Sequence, residues 1–385
     1  MAERDKISFR ILHPDPIDFL HSPNLSPDLI CSVEFSSQSE AIRFQKNLLL
    51  ISYLRYVRLE GAKPFEVKWS VSWPQAFLLN KSLTDFPQVV RQITEGLKGY
   101  NRDGFWSLRL KNNRNFSWNQ KTMIMGILNV TPDSFSDGGR YLNPHQAAER
   151  ALRLQEEGAD WIDIGGESTR PGAKPVSASE EKKRILPVIK ACVKKIRVPI
   201  SVDTYKAEVA RAAVGEGAQM VNDVSAMTMD SKMGKTISLL KVPIVLMHMK
   251  GKPATMQKNP VYRDVVGDVV SYFRGRLEEA RQRGIGEDRI LIDPGFGFGK
   301  SDSHNLSILR RMWELKVLGK PIVSGPSRKG TLGRLLGGLP PEERVEATAA
   351  AVTASILKGA DFVRVHDVQS MARVVKIADA LRYGG

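Results

Sequence analysis

Eight short apolar runs, each followed by polar residues and then by a helical stretch, recur after residue 120 and constrain the fold of this chain most strongly. The runs are Met123–Leu128, Trp161–Ile164, Pro199–Val202, Met220–Val221, Pro243–Met247, Ile290–Ile292, Pro321–Val323 and Phe362–Val365. Because neighbouring parallel strands need a crossover connection, usually a helix, strands that alternate with helices predict a parallel sheet. Eight such units in about 265 residues predict an α/β fold closed into a (β/α)8 TIM barrel.

The segment before the barrel differs in its pattern and predicts a smaller α+β domain over residues 1–118, followed by the barrel over 119–385. Its predicted strands are Ile7–Leu12 and Glu66–Trp73, and its predicted helices are Gln38–Leu50 and Thr84–Lys98. Residues 99–118 are rich in turn formers and are interpreted as a linker. No group of chemically active residues stands out in the domain, so a packing or partner-binding module is expected there.

The charge and cysteine content exclude several classes of function. The formal net charge is +15, of which +4 lies in residues 1–120 and +11 in residues 121–385. Without a block of five or six like charges, this excess predicts no nucleic-acid partner, although a basic field attracts small anionic substrates. The two cysteines, Cys31 and Cys192, form no disulfide framework or zinc motif, and no apolar run reaches membrane-spanning length. We therefore expect a cytoplasmic protein with no membrane partner.

Polar residues follow each apolar run, at the carboxyl end of the predicted strand. They are Asn129, the run 165–170, Asp203, Asn222 with Asp223, His248, Asp293, the run 324–329, and Arg364 with His366. In barrels of this type, the loops at that end of the strands form the active site. The sequence therefore predicts an enzyme whose catalytic groups come from all eight strands.

Several of these groups are suited to phosphate. Arg140 and Arg170 lie on glycine-containing turns, and Lys329, Arg364 and His366 follow the last two strands, where barrels often bind phosphate. A diphosphate beside Asn and Asp side chains is usual Mg²⁺ chemistry, although no carboxylate cage for the ion is visible in the sequence.

The run from Asp293 to Ser301, Asp-Pro-Gly-Phe-Gly-Phe-Gly-Lys-Ser, nearly matches a phosphate-binding P-loop, but Pro294 stands where the first glycine should be. We instead interpret its glycines as allowing the backbone close to a flat ligand. Phe296 or Phe298 would stack on that ligand, and Asp293 would accept its N–H groups. This set predicts a site for a heterocycle of the aminopyrimidine kind.

Eight motifs in this order resemble those of the dihydropteroate synthase family, which belongs to the pterin-binding barrels of folate biosynthesis. The motifs are 129–139 (NVTPDSFSDGG), 163–172 (DIGGESTRPG), 201–204 (SVDT), 222–225 (NDVS), 247–251 (MHMKG), 293–300 (DPGFGFGK), 327–329 (SRK) and 364–368 (RVHDV). The resemblance covers residues 121–383. It implies a transferase that joins 4-aminobenzoate to 6-hydroxymethyl-7,8-dihydropterin diphosphate, and a target for sulfonamides.

The resemblance also implies a role for each matching residue. Asp203, Arg364, His366 and Lys329 would act in catalysis, with Arg364 and His366 on the diphosphate and Asn129 on Mg²⁺. The pterin would contact Asp293, Asn222, Lys329, Met247 and Gly325. Arg170 would approach the diphosphate, and the aminobenzoate would lie among Phe135, Thr169, Pro171 and Phe298. A homodimer is the expectation for the family.

One residue departs from the family pattern, since Gly330 stands where many members have a serine that faces the aminobenzoate carboxylate. Backbone N–H groups of the following helix would then bind that carboxylate. An alternative function is that of a methyltetrahydrofolate:corrinoid methyltransferase, which shares a pterin pocket. Arg170 and the run Ser327–Lys329 argue against it, because that chemistry needs no diphosphate site.

Overall fold

The computed structural model describes residues 8–13, 28–51, 54, 56–60, 65–72, 79, 83–101, 104–131, 143–168, 173, 175–251 and 255–384. The chain divides into two compact units. The first consists of residues 1–103 and 311–320, and the second of residues 104–310 and 321–385. Among the described helices, none combines the length and the apolar character that a membrane crossing requires.

The described part of the first unit contains a four-stranded antiparallel sheet and two α-helices, so the predicted small α+β region is present. Its elements are β1 (Ser8–His13), β2 (Asp28–Phe35), α1 (Gln38–Leu49), β3 (Tyr56–Glu60), β4 (Phe65–Ser72) and α2 (Pro87–Asn101), and the strand order is β1-β2-β4-β3. Aromatic rings fill the core, where Phe44 packs against Phe35, Trp69 and Phe86 with centroid distances of 5.0–5.7 Å. The sequence prediction omitted β2 and β3.

A segment from the barrel half of the sequence completes the first unit, which the predicted boundary at residue 118 did not foresee. Residues 311–320 contain a 3-10 helix, Met312–Leu318, whose side chains are all buried. The buried guanidinium of Arg10 donates to Glu314 Oε2 at 2.9 Å, and Arg311 Nε donates to Glu314 Oε1 at 2.6 Å. An ion pair between residues 304 positions apart thus helps to hold this segment in the first unit.

The second unit contains the predicted barrel, with eight parallel strands alternating with helices. Its elements are β7 (Met123–Asn129), α3 (Pro144–Glu156), β8 (Trp161–Gly165), α4 (Ala178–Lys195), β9 (Ile200–Asp203), α5 (Ala207–Gly215), β10 (Met220–Asp223), α6 (Met233–Leu240), β11 (Ile244–Met247), α7 (Val265–Gln282), β12 (Ile290–Asp293), α8 (Asp302–Arg311), β13 (Val323–Ser324), α9 (Gly330–Leu335), α10 (Val345–Leu357), β14 (Phe362–Val365) and α11 (Val368–Tyr383). The sheet runs in the order β12-β11-β10-β9-β8-β7-β14-β13, and a parallel bridge between Ile292 and Ile322 closes it. All eight predicted strands are found, within a few residues of their predicted limits.

A hairpin occupies the region that the sequence reading assigned to a linker. Its strands, β5 (Phe105–Arg109) and β6 (Asn115–Asn119), belong to the barrel unit and pack at the amino-terminal end of the barrel. Trp118 stacks edge-on against Phe362, and Trp106 Nε1 donates to Asp361 Oδ1 at 2.8 Å. The linker prediction was wrong here because the turn formers of this region serve one connection between two strands. Apolar and polar side chains alternate from Trp106 to Arg109 and from Asn115 to Asn119, as expected for strands.

Candidate functional site

The carboxyl ends of the barrel strands meet around a cavity of about 340 Å³. Ten residues line it: Asp203, Asn222, Val224, Met247, Asp293, Phe296, Phe298, Gly325, Lys329 and Arg364. Eight of the ten are site residues expected from the sequence, and Phe296 was the alternative to Phe298 as a stacking ring. Val224 was not expected, because an apolar residue just after a strand carries no chemical signal.

Arg364 joins two carboxylates that come from other strands of the barrel. Its Nε donates to Asp163 Oδ2 at 2.6 Å, and its Nη2 donates to Asp203 Oδ2 at 2.8 Å. Burial tends to lower the pKa of the guanidinium, but the charges of Asp163 and Asp203 outweigh it and raise that pKa above its ordinary value. Arg364 is therefore a fixed cation in the wall of the cavity, and its fork leaves further N–H donors for a ligand.

Asp203 lies in a more balanced electrostatic environment than Arg364. It is 9 % exposed, and burial raises the pKa of its carboxyl group. The positive charge of Arg364 lowers that pKa, whereas the negative charge of Asp163 raises it again. Burial outweighs the guanidinium, and the pKa of Asp203 is raised to about 7.

Asp163 contacts two residues of the cavity lining, although the sequence analysis assigned no role to it. It is fully buried on β8, and its Oδ2 accepts from Asn222 Nδ2 at 3.0 Å as well as from Arg364. Because the Asn222 amide nitrogen donates to Asp163, the Asn222 carbonyl oxygen remains as an acceptor for a ligand. The signal that could have identified Asp163 is its place as the one carboxylate in the buried strand Trp161–Gly165.

Asp293 provides a second buried acceptor, at the end of β12. Its Oδ1 accepts from the Gly295 backbone N–H at 2.7 Å. Burial raises the pKa of Asp293, while the Gly295 hydrogen bond and the charge of Lys329 act in the opposite direction. Asn222 and Asp293 therefore both contribute oxygen acceptors to a cavity that also contains two cations, Lys329 and Arg364.

The glycine-rich run after Asp293 turns tightly, and each of its glycines is needed. Gly295, Gly297 and Gly299 have positive φ angles of 70°, 83° and 62°. A Cβ at Gly295 would also collide with the carbonyl oxygen of His248. This path places the ring of Phe298 in the cavity wall, where Lys329 Nζ lies 4.0 Å from the ring centroid.

Lys300 ends this run, and its side chain is directed into the protein rather than to an anion site. It is 1 % exposed, and its Nζ contacts three backbone carbonyl oxygens and the imidazole of His248. Burial lowers the pKa of Lys300 to about 7 and also lowers the pKa of His248 well below its ordinary value. This arrangement is incompatible with a P-loop, in which the lysine reaches the phosphates.

Ser327 and His366 form a pair beside the last two strands. The two atoms Ser327 Oγ and His366 Nδ1 are 3.0 Å apart, and the His366 backbone N–H donates to the same Oγ at 3.2 Å. Burial lowers the pKa of His366 to about 3, and Arg364 and Arg328 add to this, so the imidazole is neutral. The guanidinium of Arg328 is paired with Asp367 through Nε at 2.9 Å. Asp367 therefore balances the positive charge of Arg328.

The remaining predicted residues lie away from the cavity lining or outside the described chain. Asn129 ends β7 beside Gly165, at the same rim as the cavity. Within the described residues, no group of three or more His, Cys, Asp or Glu side chains is arranged to hold a metal ion. Phe135, Thr169, Arg170, Pro171 and Arg140 are outside the described residues.

Comparisons with known proteins agree with this geometry. The profile of the pterin-binding enzyme family matches residues 125–366. A dihydropteroate synthase from Synechocystis sp. is 46% identical over 266 residues, which make up 69% of this chain and 92% of that protein.

Solved structures of dihydropteroate synthases are also similar to this chain in sequence and in fold. The dihydropteroate synthase of Yersinia pestis, determined as a sulfonamide drug complex, has a TM-score of 0.68 and 39% identity over 72% of this chain and 99% of its own. The enzyme of Xanthomonas albilineans, determined with 4-aminobenzoic acid, has a TM-score of 0.66 and 43% identity over the same shares. Since the family profile spans more than half of the sequence and these relatives are covered almost completely, the chain belongs to the pterin-binding enzyme family, in the group of the dihydropteroate synthases.

Proposed function

We propose that the barrel joins 4-aminobenzoate to 6-hydroxymethyl-7,8-dihydropterin diphosphate and releases 7,8-dihydropteroate and pyrophosphate, a step of folate biosynthesis. The observation that carries this proposal is one cavity that combines the buried acceptors Asn222 and Asp293 with the cations Lys329 and Arg364. Oxygen acceptors suit the N–H edge of an aminopyrimidine, and cations suit phosphate oxygens. A pterin diphosphate carries both groups.

The reaction needs little activation of its nucleophile. An aromatic amine is already uncharged at neutral pH, so no Ser–His or Cys–His pair is required. The amine nitrogen forms a bond to the methylene carbon of the pterin, the C–O bond to the diphosphate breaks, and its electron pair leaves with pyrophosphate. The amine proton is lost to water. The barrier therefore lies in charge separation, with negative charge growing on the leaving group and positive charge on the carbon.

The described residues are placed to stabilise both charges. Arg364 would donate to the departing diphosphate with the N–H groups that Asp163 and Asp203 do not use. The neutral imidazole of His366 would act there as a hydrogen-bond donor rather than as a cation. In its ionised form, which a pKa of about 7 leaves accessible at neutral pH, Asp203 would favour the positive charge that develops on the methylene carbon. Lys329 would contact the pterin on its polar face.

Mg²⁺ fits this donor set as an ion bound mainly by the substrate. The described residues include no carboxylate cage, and Asn129 offers one amide oxygen at the rim. Mg²⁺ is commonly held by one or two protein oxygens together with substrate phosphates. When bound, the ion would neutralise the diphosphate and make it a better leaving group.

The aminobenzoate would bind against Phe298, beside Lys329. The ring of Phe298 lines the cavity and can stack on an aromatic substrate. Phe135, Thr169 and Pro171 would complete this part of the site, and Arg170 would approach the diphosphate. Because Gly330 has no hydroxyl group, we expect this enzyme to bind the carboxylate through backbone N–H groups. Sulfonamides that mimic the substrate would meet the same N–H groups.

Turnover and ligand binding test the assignment together. The purified protein with Mg²⁺, 4-aminobenzoate and the pterin diphosphate is expected to release pyrophosphate and dihydropteroate in equal amounts.

Asp293→Asn is expected to lower the affinity for both the pterin diphosphate and the free pterin alcohol about 30-fold. The new amide group can place its own N–H donors opposite the N–H donors of the pterin. Arg364→Ala is expected to weaken the diphosphate at least about tenfold more than the alcohol, since only the ester carries phosphate charge. Calorimetry measures all four affinities.

Arg334→Ala is the matched control, because Arg334 is an exposed arginine paired with Asp302 and is not part of the cavity lining. Absence of pyrophosphate would reject the proposed reaction. Equal losses for ester and alcohol in Arg364→Ala would remove the role of Arg364 on the leaving group.

Asp163 is proposed as a positioning residue for Asn222 and Arg364. In Asp163→Asn the acceptor becomes an uncharged amide, so Asn222 is free to turn its nitrogen towards the pterin and Arg364 loses one of two charged partners. We expect kcat/KM to fall about 100-fold and the affinity for the pterin alcohol to fall about tenfold. Asp160→Asn is the control, since Asp160 caps the Ile124 backbone N–H just before the same strand begins. Unchanged pterin affinity in Asp163→Asn would refute the role.

The methyltransferase alternative uses a similar pterin pocket but has no leaving diphosphate. It would therefore give equal affinity for pterin alcohol and pterin diphosphate in the calorimetric experiment. The two compared structures and the Synechocystis protein are dihydropteroate synthases, which favours the diphosphate reaction.

We also propose that the enzyme is a homodimer. Ile377 and Leu381 lie one turn apart on α11 and are 64 % and 55 % exposed, which suits an apolar interface. Light scattering is expected to give twice the chain mass, and Ile377→Glu with Leu381→Glu is expected to give monomers. Leu239→Glu, on the exposed face of α6, is the control that should leave the mass unchanged. A monomeric wild type would refute the proposal.

Residues 1–103 are proposed as a structural module rather than a source of catalytic groups. Their unit includes residues 311–320, which the chain inserts between α8 and β13, and it holds them through pairs such as Arg10 with Glu314. Deleting residues 1–103 would expose the apolar side chains of that segment. We expect the melting temperature to fall by several degrees and the deleted protein to aggregate on heating. Unchanged stability and kinetics would instead leave a partner-binding role.

The cytoplasm remains our proposed location for the enzyme. Cys31 and Cys192 are both buried free thiols, as is usual in a reducing compartment. Fractionation of cells that produce the protein would test this.

A further inference from the structure

A buried lysine beneath the glycine-rich run offers a role that the proposed reaction does not use. The run consists of residues 293–300, and Lys300 is one of the largest fully buried side chains of the protein. A buried ammonium group is costly unless nearly all of its donors are paired. The groups that contact Lys300 Nζ therefore indicate the role of this side chain.

The ammonium group of Lys300 is paired with the backbone of its own loop and with one imidazole. Nζ donates to the carbonyl oxygens of Gly295 at 2.9 Å, Phe298 at 3.0 Å and His248 at 3.3 Å. It lies 2.8 Å from His248 Nδ1, which can accept because the imidazole is neutral. In the described structure no carboxylate forms an ion pair with Lys300. The charge is thus balanced largely by peptide dipoles.

Two of those three carbonyl groups belong to the glycine-rich run, which pairs most of its carbonyl groups with side chains. One turn hydrogen bond forms inside the run, from the Phe298 backbone N–H to the Gly295 carbonyl at 3.1 Å, whereas the other carbonyl groups from Gly297 to Gly299 accept from side chains. Tyr262 Oη donates to the Gly299 carbonyl at 2.8 Å, and Gln257 Nε2 donates to that of Gly297 at 2.6 Å. Lys300 alone among these contacts reaches the carbonyl of Phe298, the residue whose ring lines the cavity.

Asp293, at the other end of the loop, is held in a different way. It is paired with Met247 in the sheet, and its backbone carbonyl accepts from the His248 N–H at 2.9 Å. The barrel therefore fixes Asp293 even without Lys300, whereas the position of Phe298 depends on the loop. Loss of Lys300 should consequently affect the two ends of the loop unequally.

We propose that Lys300 is a positioning residue that holds the Phe298 ring in place for the second substrate, 4-aminobenzoate. This inference rests on the proposed function, which places that substrate against Phe298. Lys300 touches no substrate and acts through the carbonyl oxygens of Gly295 and Phe298. Its N–H donors, which both the ammonium form and the amine form provide, organise those carbonyl groups.

The test replaces Lys300 by methionine, which keeps the length of the side chain and removes its charge and donors. We expect Lys300→Met to raise the KM for 4-aminobenzoate about tenfold and the KM for the pterin diphosphate less than about threefold. Lys235→Met is the matched control, because Lys235 is an exposed lysine on the outer helix α6. It should leave both constants unchanged. Equal changes in the two constants, or no change, in Lys300→Met would overturn the proposal.

A double-mutant cycle separates positioning from general loss of stability. In the background of Phe298→Ala the ring is absent, so Lys300→Met should change the KM for aminobenzoate less than about threefold. A full, additive effect in that background would overturn the proposal. If Lys300→Met does not fold, Lys300→Gln retains two donors and should give the same direction of change with a smaller size.

Hydrogen exchange tests the role of Lys300 independently of the proposed reaction. If the wild type forms no dihydropteroate, the proposed function fails, yet the loop can still be examined. Faster exchange of the amides at residues 296–299 in Lys300→Met than in Lys235→Met would support the positioning role. Equal exchange in the two variants would overturn it.

Discussion

Closure of the eight parallel strands is the constraint on which the site depends. The bridge between Ile292 and Ile322 completes the barrel, and the carboxyl ends of strands that are far apart in sequence then share one rim. Asp163 and Arg364 are 201 positions apart, yet they form a hydrogen bond of 2.6 Å. Such a site is held firmly, because Asp203, Asn222 and Asp293 stand at the ends of paired barrel strands.

The rim concentrates charge where the protein gains little stability from it. Burying Asp163, Asp203 and Arg364 together costs solvation of three ions, and the mutual attraction of such groups often only offsets that cost. Removing one partner of a buried pair is much worse, at about 3–5 kcal/mol, because it leaves an unpaired charge. The cluster is thus better explained by the reaction, which needs a fixed cation for the diphosphate and an anion near the carbon that becomes positive. Stability comes instead from the apolar cluster at the other end of the barrel, where Trp118 packs on Phe362.

The sequence alone was sufficient for what depends on local pattern. Apolar runs followed by polar residues predicted the eight strands, and together with the glycine-rich run and the family resemblance they identified eight of the ten cavity residues. It was insufficient where the outcome depends on pairing between distant segments. Residues 99–118 looked like a linker because their turn formers are conspicuous, whereas the hairpin is stabilised by Trp161 and Phe362 from the barrel. Similarly, the sequence around Glu314 does not indicate Arg10 as its partner. The sequence around Asp163 does not indicate a hydrogen bond with Asn222.

The run Gly299-Lys-Ser301 shows that the hydrogen-bond partners of a lysine, and not the motif alone, decide which ligand the motif binds. In a P-loop the backbone N–H groups converge on an anion, and the lysine extends to the phosphates. In this protein Lys300 extends the other way and gathers carbonyl oxygens of Gly295 and Phe298, which have no affinity for an anion. With Lys300 directed away from the cavity, the cations that line it for a ligand are Arg364 and Lys329. The loop then remains free to present an aromatic ring, so a near match to a nucleotide-binding motif becomes one wall of a site for two flat substrates.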